Sequence, residues 1–288
     1  METITREENY YIRASSFIKP DIGFHAQFIH NNYRGLHMHD FYELIYVVSG
    51  EITHSFGGKL TKLSPGDFVF VPKDTEHGFV PPKECYNRDL LVNEELFEGI
   101  CALLPSAKSL LFELQGSPVK IPLKEVYRLE KLINAYQAET VITVKRCKAI
   151  KILLDVLSLA LYANKEQPVK EEKKEDGSSF VTAKIIATLN KNFNLPNCLD
   201  VVKFLNYSNS YLRKIFKKEI GCTMSDYLKK IRLSHVEYYL TTTNYSLGQI
   251  AEMVGIESLS YLNKIFKEEY GVTPIKYRNT HGKETPEQ

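Results

Sequence analysis

The chain has 288 residues, which is too long for one typical domain and comfortable for two. Its composition is ordinary, with 43% apolar and 25% charged residues, 15 glycines and 12 prolines, and this excludes collagen-like, fibrous and fully disordered proteins. The formal net charge of +2 is unevenly distributed. Residues 180–288 carry 15 Lys and Arg against 10 Asp and Glu, which indicates either a polyanionic partner or a solvated lysine-rich surface.

No apolar run is long enough to cross a membrane, since the run Leu44–Val48 ends at Ser49-Gly50. Residues 1–8 are polar and mixed in charge, so we expect no secretory signal and a cytoplasmic protein. The cysteines form no C-x-x-C pair, which favours reduced thiols over a disulfide framework or a zinc site. They stand at positions 85, 101, 147, 198 and 222.

Between Tyr10 and Val92 the sequence predicts short β-strands separated by turn signals, notably Gly57-Gly58 and Ser64-Pro65-Gly66. Many short strands at close spacing are typical of a barrel or a sandwich. The predicted strands are Ile22–Ile29, Glu43–Val48, Glu51–Phe56, Asp67–Val71 and Arg88–Val92.

From Asn93 onward the apolar residues recur with a helical period. Asn93 is expected to cap the first of three helices and Pro122 to open the second. Their apolar stripes either pack on the strands and on each other or form a dimer contact. The stripes are Leu96, Phe97, Ile100, Leu103 and Leu104; Val126, Leu129, Leu132, Ile133 and Tyr136; and Ile150, Leu153, Leu154, Leu157 and Leu161.

Residues 164–179 predict a flexible linker, because nine of the sixteen are charged and only Val169 is a sizeable apolar side chain. The linker divides the chain into an N-terminal domain, 1–163, and a C-terminal domain, 180–288. The predicted fold class is therefore α+β multidomain, with a β-barrel and a helical segment followed by an all-α domain.

A thirteen-residue segment near the C-terminus recurs fifty residues later. Tyr211–Thr223 and Tyr261–Thr273 are identical at nine positions, which chance does not produce. Each copy predicts a helix, a tight turn and a second helix, at about 197–221 and 246–271. We call these two units the first and the second reader.

In each reader the second helix is apolar on one side and basic on the other. We expect Asn197 and Ser246 to cap the leading helices, and Asn206 and Gly255 to take the left-handed turn position. Two helices joined by a short turn, the second one basic outside, fit a helix-turn-helix that binds DNA. The alternative is a pair of helical hairpins with solvated lysines, and the duplication favours the DNA-binding interpretation.

The segment between the copies, 224–240, predicts a helical rod about 25 Å long. Two readers on one face of B-DNA must sit about 34 Å apart to enter successive major grooves. The rod and its turns hold the readers near that separation. We therefore expect the DNA to bend toward the protein, or one reader to engage it less well.

Residues 180–280 resemble the DNA-binding domain of AraC/XylS-type transcription regulators. The resemblance is most specific in the second reader, at Gly255-Ile256, Tyr261–Lys267 and Gly271–Arg278. Three positions depart from the family's usual residues in ways that change core packing and not the fold. They are Val202, Ile256 and Leu262.

This resemblance implies a regulator with a DNA operator, a small-molecule effector and RNA polymerase as partners, acting as a homodimer without a cofactor or a membrane. Carried over by motif, Arg213 would pair with a guanine edge and Asn263 with an adenine edge, while Lys217 and Lys267 would contact phosphate. The full set of implied DNA contacts is Ser210, Arg213, Lys214, Lys217, Ser260, Asn263, Lys264 and Lys267.

A second constellation lies among the predicted strands. His37 and His39 precede Glu43 at strand parity, and His77 follows on a later segment. Three imidazoles and a carboxylate suit iron, manganese, nickel or zinc. The arrangement resembles the cupin fold, because H-x-H-x3-E-x6-G is matched in full and most of the second motif is present, with Asp74 in place of a glycine and no asparagine shortly after His77.

Two function classes follow for this barrel. A metal-dependent cupin enzyme would use His37, His39, Glu43 and His77 with an open coordination position. Regulators with an AraC-type reader commonly carry a cupin-like barrel as a sensor pocket, often without metal. Since the duplicated reader belongs to the same chain, we expect a sensor and no enzyme.

The expected effector is a carbohydrate. The runs His39–Glu43 and Gly66–Pro72 resemble those of regulators of β-glucoside or chitobiose use, which implies a β-glucoside or an amino-sugar disaccharide. Aromatic faces stack on sugar rings, and His, Glu and Arg side chains hydrogen-bond their hydroxyls. An N-terminal arm with Tyr10 and Tyr11 is expected to border the pocket. The predicted effector-binding residues are His37, His39, Tyr42, Glu43, His77 and Arg88.

Overall fold

The structure of the chain is a computed structural model. Within the described part of the chain, no helix combines the length and apolar character needed to cross a bilayer. Residues 166–176, which make up most of the predicted linker, lie outside the described residues. The structure describes residues 6–30, 35–80, 85–165, 177–195, 197–198 and 202–281.

The strands of the described residues all lie in the first 120 positions. They are β1 (Arg6–Ile12), β2 (Phe24–His30), β3 (Leu36–His39), β4 (Tyr42–Gly50), β5 (Ile52–Phe56), β6 (Lys59–Leu63), β7 (Asp67–Val71), β8 (His77–Val80), β9 (Cys85–Val92) and β10 (Val119–Lys120). Two five-stranded sheets result, in the orders β1-β3-β8-β5-β6 and β10-β7-β4-β9-β2. We call this two-sheet unit the sensor barrel.

Helices cover the remainder of the described chain, with short 3₁₀ turns at Ala14–Ser16 and Lys203–Leu205. The α-helices are α1 (Glu94–Leu103), α2 (Pro105–Glu113), α3 (Leu123–Gln137), α4 (Ile142–Lys165), α5 (Gly177–Lys191), α6 (Asn209–Ile220), α7 (Met224–Thr242), α8 (Leu247–Met253), α9 (Leu259–Tyr270) and α10 (Pro274–His281).

The central strands β4 and β9 are buried on both faces, which explains the apolar run Leu44–Val48 of β4, while β9 buries the polar residues Asn87, Arg88 and Asp89 as well. Ile45 and Val47 of β4 point between the two sheets, where they pack with Ile52 and Phe79 of the opposite sheet. Alternate residues of the same strands pack against the helices, as Tyr46 does. The two strands therefore carry one face toward the barrel interior and one toward the helical layer.

The predicted α+β multidomain class is confirmed, with a sheet-rich N-terminal part followed by a helical C-terminal part. The five predicted strands correspond to β2, β4, β5, β7 and β9. Strands β1, β3, β6, β8 and β10 and helix α2 were not predicted. These strands are short or rich in charged and imidazole side chains, so their intrinsic β-strand propensity is low. Hydrogen bonds to neighbouring strands stabilise them.

The three predicted apolar stripes mostly pack inside the molecule. Asn93 caps α1 by accepting a hydrogen bond from the Leu96 amide, and α3 follows Pro122 directly. The stripe of α3 is buried, and so are Leu153 and Leu157 of α4. A second face of α4 stays exposed, with Leu154 at 38% and Tyr162 at 62% of full exposure.

Candidate functional sites

The two readers have the same local architecture around their second helices. Helices α6 and α9 are each twelve residues long and begin where the side chains of Ser208 and Ser258 accept hydrogen bonds from backbone amides. Gly221 and Gly271 end them in the left-handed conformation, at φ 84° and 78°. The apolar faces are buried, which leaves the opposite faces outward. The buried residues of these faces are Leu212, Ile215, Phe216, Leu262, Ile265 and Phe266.

The turns that precede α6 and α9 also follow the prediction. Asn206 adopts φ 54° and Gly255 φ 72°, both in the left-handed region. At Gly255 the chain is also crowded, since a Cβ atom would lie 2.2 Å from the Asn194 carbonyl oxygen. Ser246 caps α8 in a capping box with Gln249. Cys198 and Val202 are helical, and residues 199–201 lie outside the described residues, so the cap at Asn197 stays a prediction.

The predicted DNA contacts lie on the outward faces of α6 and α9. All are exposed except Asn263, which is half-buried and donates from Nδ2 to the Leu259 carbonyl oxygen at 2.9 Å. The exposed members are Ser210, Arg213, Lys214, Lys217, Ser260, Lys264 and Lys267. Each reader therefore presents two or three cations together with short polar side chains, a set suited to phosphates and base edges.

Helix α7 joins the readers and is bonded to both neighbours. Arg232 donates to the carbonyl oxygens of Phe193 and Leu195, at 2.8 and 2.5 Å. On the other side, the hydroxyls of Tyr270 and Tyr277 donate to the Glu237 carboxylate at 3.1 and 2.7 Å. The nineteen residues of α7 span about 28 Å. These bonds hold α7 on the loop that follows α5 and on the second reader.

In the sensor barrel, three of the predicted histidines converge. One ligating nitrogen from each of His37, His39 and His77 lies within 4.8 Å of the others, and all three side chains are buried. Their Nδ1 atoms contact the carbonyl oxygens of residues 35, 41 and 75 at 2.8, 2.8 and 3.3 Å. The Nε2 atoms of His39 and His77 lie 3.4 and 3.0 Å from Glu43 Oε2. The constellation is therefore assembled from separate strands.

This convergence differs from the expected single strand. His37 and His39 lie on β3 in one sheet, and Glu43 lies on β4 in the other, with a break at Asp40 and Phe41. His77 pairs directly with His37 between β8 and β3. The shared parity of 37, 39 and 43 thus reflects two strands that face each other across the barrel interior.

Burial and the charges of neighbouring groups shift the pKa values of the side chains at this site. Burial raises the pKa of Glu43, but the adjacent His39 and His77 outweigh it and hold the pKa well below its ordinary value. Asp89 has the opposite outcome, because burial and then the Glu43 charge raise its pKa well above the usual range. Burial lowers the pKa of His37. Two neighbouring carboxyl groups are thus biased toward different protonation states.

A small cavity of about 40 Å³ opens beside these groups. His37, Glu43 and Asp89 line it together with Gln27, and three phenylalanines supply apolar walls. Small-molecule pockets usually measure about 300–1,000 Å³, so this cavity holds one or two waters unless it expands. The apolar lining consists of Ile12, Phe17, Ile29, Phe41, Phe79 and Leu91.

Two predicted effector residues lie elsewhere. Tyr42 is adjacent to Glu43 on β4, so its side chain points to the opposite face of the sheet. There its ring stacks on Phe97, with 3.8 Å between the ring centroids, and its hydroxyl donates to the Glu98 carboxylate at 2.9 Å. Arg88 faces the helical layer and pairs with Glu130. The structure does not bring either residue to the histidines. On the predicted N-terminal arm, Tyr11 of β1 donates a hydrogen bond to Asp74, and the side chain of residue 10 lies outside the described residues.

Comparison with protein families matches both parts of the chain. Residues 20–139 match the family described as AraC-like ligand binding domain, and residues 201–280 match a helix-turn-helix domain. The first range contains eight of the ten residues that line the cavity, all but Ile12 and Phe17, and the second contains both recognition helices. The chain belongs to the AraC-type transcription regulators. It is a DNA-binding regulator with a ligand-binding domain, and its relatives are regulators and not enzymes.

Curated relatives of this AraC-type chain extend over most of its length. The transcriptional activator RhaR of Mannheimia succiniciproducens is 22% identical over 246 residues, covering 85% of this chain and 87% of its own. RhaR of Shigella dysenteriae is 24% identical over 265 residues, covering 86% and 88%.

Solved structures similar to this AraC-type chain include ToxT from Vibrio cholerae, with 13% identity, a TM-score of 0.34 and coverage of 90% of this chain and 99% of that one. The C-terminal domain of the response regulator AraT from Geobacillus stearothermophilus has 29% identity and a TM-score of 0.36, covering 38% and 91%.

Sequence reasoning missed two polar residues in the barrel of this AraC-type regulator. Asp89 lines the cavity, and the Asn87 amide donates to it at 2.5 Å. His54 of β5 is fully buried beside Phe79 and His77. Neither ring nitrogen of His54 has a hydrogen-bond partner among the described residues. Asp89 follows Arg88, and His54 stands between Thr53 and Ser55, so neither residue interrupts an apolar run and no local pattern marks it as buried.

The buried imidazole of His54 predicts acid sensitivity. Burial lowers its pKa to about 3, against about 6.5 in an unfolded chain. As the pH falls below 6.5, the unfolded chain binds a proton that the folded barrel excludes, so stability decreases. At pH 5 this amounts to about 2 kcal/mol. The free energy of unfolding should fall between pH 7.5 and pH 5, and we expect His54→Leu to make this fall smaller by about that amount.

Urea titrations followed by circular dichroism at the two pH values measure this difference within each protein. The comparison of one protein at two pH values removes the effect of leucine on packing. An equal loss of stability in wild type and His54→Leu would contradict the assignment.

Proposed function

We propose that this regulator binds an operator through both readers and activates transcription when a carbohydrate occupies the sensor barrel. The observation that carries the DNA-binding part is the pair of outward basic faces on α6 and α9, joined by α7. Activation follows from the curated relatives, which are named transcriptional activators. It requires contact with RNA polymerase, which we propose as a further partner.

Each contact residue has a role set by its chemistry. The Arg213 guanidinium matches the two acceptors of a guanine edge, and the Asn263 amide matches adenine once it leaves the Leu259 carbonyl. Lys217 and Lys267 lie in the last turns of their helices and are assigned to phosphates. Ser210, Lys214, Ser260 and Lys264 complete the proposed interface. Since α7 is shorter than one turn of B-DNA, we expect the operator to bend toward the protein.

Substitutions should separate base readout from phosphate contact. On a duplex that the protein selects from a random library, Arg213→Ala should cost about 1–3 kcal/mol and relax the preference at one position. Lys217→Ala should weaken all sequences alike and reduce the salt slope by about 1. Lys62→Ala, at an exposed lysine of β6, is the control and should change neither quantity.

Fluorescence anisotropy titrations at several salt concentrations measure all three variants. Unchanged affinity and unchanged base preference in Arg213→Ala would remove this residue from the interface.

The cavity lining supports a carbohydrate effector. Gln27, Glu43 and Asp89 offer acceptors and donors for hydroxyl groups, and burial and Glu43 favour the protonated, donating form of Asp89 by raising its pKa. Phe17 and Phe79 offer apolar faces for the C–H surface of a sugar ring. Because the cavity is smaller than a monosaccharide, binding must displace part of its wall. Ile12 and Phe17, which precede β2, are the lining residues best placed to move with the N-terminal arm.

A bound metal is the second candidate for this site. The Nδ1 atoms of His39 and His77 contact carbonyl oxygens, which turns the Nε2 atoms of both rings toward Glu43. A metal ion between these nitrogens and the Glu43 carboxylate would take both as ligands. His37, His39, His77 and Glu43 would hold iron, manganese, nickel or zinc, the ligand set that the sequence suggested.

A thermal-shift panel distinguishes the two candidates. The probes are β-glucosides, chitobiose, monosaccharides and their phosphates, and the chlorides of zinc, manganese, iron(II) and nickel. A ligand that binds only the folded protein at 100 times its Kd adds about 2.7 kcal/mol of stability. We expect a sugar to raise the Tm of wild type and of His39→Gln, because His39 does not line the cavity, and to have no effect on Asp89→Ala, which removes the carboxyl group from the lining.

The reverse pattern, with a metal-induced shift that disappears in His39→Gln and persists in Asp89→Ala, would favour the metal. A panel without any shift in the wild type would contradict both candidates.

We also propose that a second copy of the chain covers the exposed face of α4. Val144, Cys147, Leu154 and Tyr162 follow one another at three- to eight-residue spacing, and Lys151 is the charged residue among them. Exposed apolar stripes on helices are typical of self-association about a two-fold axis. A homodimer would present four readers to the operator.

Leu154→Glu should disrupt this dimer, since burying a leucine contributes about 1.5–3 kcal/mol and a buried glutamate opposes association. Leu60→Glu is the matched control, because Leu60 of β6 is 50% exposed and lies away from α4. Sedimentation velocity should show dimers for wild type and Leu60→Glu and monomers for Leu154→Glu. A dimeric Leu154→Glu protein would overturn the assignment of α4.

A further inference from the structure

The first reader shares an apolar core with the sensor barrel. One continuous buried cluster contains Tyr46 of β4, Ile133 of α3, Phe216 of α6 and Tyr227 of α7. The second reader has a separate cluster, formed by α7–α10 with Phe193 packed against it. Two readers whose second helices lie in segments identical at nine of thirteen positions are thus held in different surroundings.

Polar contacts fix the first reader on one surface of α3. Asn134 Nδ2 donates to the Ile220 carbonyl oxygen at 2.8 Å, and Lys131 Nζ donates to that of Lys218 at 3.4 Å. Both acceptors belong to the last turn of α6, where carbonyl groups lack helical partners and favour a nearby cation. We call Lys131, Asn134 and Gln137 the α3 docking surface.

Helix α7 engages the same surface from the next segment of the chain. Lys230 Nζ donates to Asn134 Oδ1 at 2.6 Å and to Gln137 Oε1 at 2.5 Å. Asn134 therefore binds α6 through its amide nitrogen and α7 through its amide oxygen. Gln137 in turn donates to the Ala26 carbonyl oxygen of β2, which ties the docking surface to the sheet.

The glycine at the end of α6 shows how close this approach is. A Cβ atom on Gly221 would lie 2.7 Å from Lys131 Cγ and 3.2 Å from Lys131 Cα. Its repeat counterpart Gly271 has the same left-handed conformation, yet a Cβ there would meet no atom within 4 Å. An alanine strains the backbone equally at both positions but collides with α3 only at position 221.

The α3 docking surface adjoins the buried ion pair of the barrel along the same helix. Glu130, one turn before Asn134 on α3, accepts from Arg88 and from the Tyr46 hydroxyl. Asp89, the next residue of β9, lines the cavity on the opposite face of the sheet. Consecutive residues of one strand therefore face the cavity and the support of the first reader.

We propose that the α3 docking surface holds the first reader in a fixed position against the sensor barrel and so sets the operator spacing that a dimer accepts. This proposal rests on the proposed function. In the docked state the base-reading half of α6 stays exposed, since the contacts use only its last turn. Displacement of β9 by an effector would shift Arg88, Glu130 and α3 together, and with them α6 and the part of α7 that Lys230 holds on α3.

The experiment compares full-length Gly221→Ala with full-length Gly271→Ala. The probes are duplexes with two copies of the library-selected site, whose separation is increased base pair by base pair through one helical turn. We expect wild type to prefer one separation at least about tenfold over those displaced by half a turn, because docked readers cannot adapt. Gly271→Ala should keep this preference with weaker binding overall.

Gly221→Ala should lower the preference to about threefold or less, because a reader on a loose tether reaches several separations. Asn134→Ala, which removes both amide contacts without straining the backbone, should act in the same direction. Retention of the wild-type preference by both variants, or a wild type without any preference, would overturn the proposal.

Hydrogen exchange separates this outcome from failure of the proposed function. If wild type selects no DNA sequence, the DNA-binding proposal fails, and docking is then decided by amide exchange in α3 and α6. Gly221→Ala should exchange faster than wild type and Gly271→Ala in residues 129–137. Equal exchange in the three proteins would overturn the docking proposal whatever the DNA result.

Discussion

The ion pair between Arg88 and Glu130 is the interaction on which the arrangement of the two halves depends. The guanidinium donates to both carboxylate oxygens, at 2.9 and 2.5 Å, and the Tyr46 hydroxyl donates to the same carboxylate at 2.7 Å. Both charged side chains are at most 1% exposed. Burial opposes ionisation of Glu130, but Arg88 outweighs it and lowers the pKa of the carboxyl group. Removing one partner of such a pair typically costs about 3–5 kcal/mol, because the other charge stays buried.

The geometric consequence of this pair is as important as its energy. A bidentate contact allows little rotation, so it fixes which side of α3 faces the sheet. Glu130 and Asn134 are four residues apart and share one face of that helix. Fixing Glu130 on Arg88 therefore directs Asn134 toward α6 and α7. Apolar packing alone would tolerate several rotations of α3, whereas the ion pair selects one.

Local sequence signals predicted the two readers, whereas the faces of the barrel strands depend on long-range pairing and were not predicted. The readers were predicted because a repeat, caps and left-handed turn residues are local signals, as Ser246, Asn206 and Gly255 show. The effector set was not brought together, because Tyr42 and Glu43 are adjacent on β4 and face opposite sides. For Arg88 the face depends on pairing with Tyr46 across strands β4 and β9. That register arises from long-range pairing, which a single sequence does not display.

The two readers differ in the residues that surround them and not in the local sequence of the repeat. Gly221 and Gly271 occupy equivalent positions and have nearly equal φ angles, so local sequence predicts equal behaviour. The difference comes from Lys131 and Asn134, which lie 87 and 86 residues before their partners in α6 and meet only the first copy. A regulator with two identical free readers would respond to an effector in both or in neither. Holding one copy on the sensor side and leaving the other on α7 allows a movement in the barrel to change the relation between them. The asymmetry needed for regulation therefore lies in the support of the recognition helices and not in their DNA-binding faces.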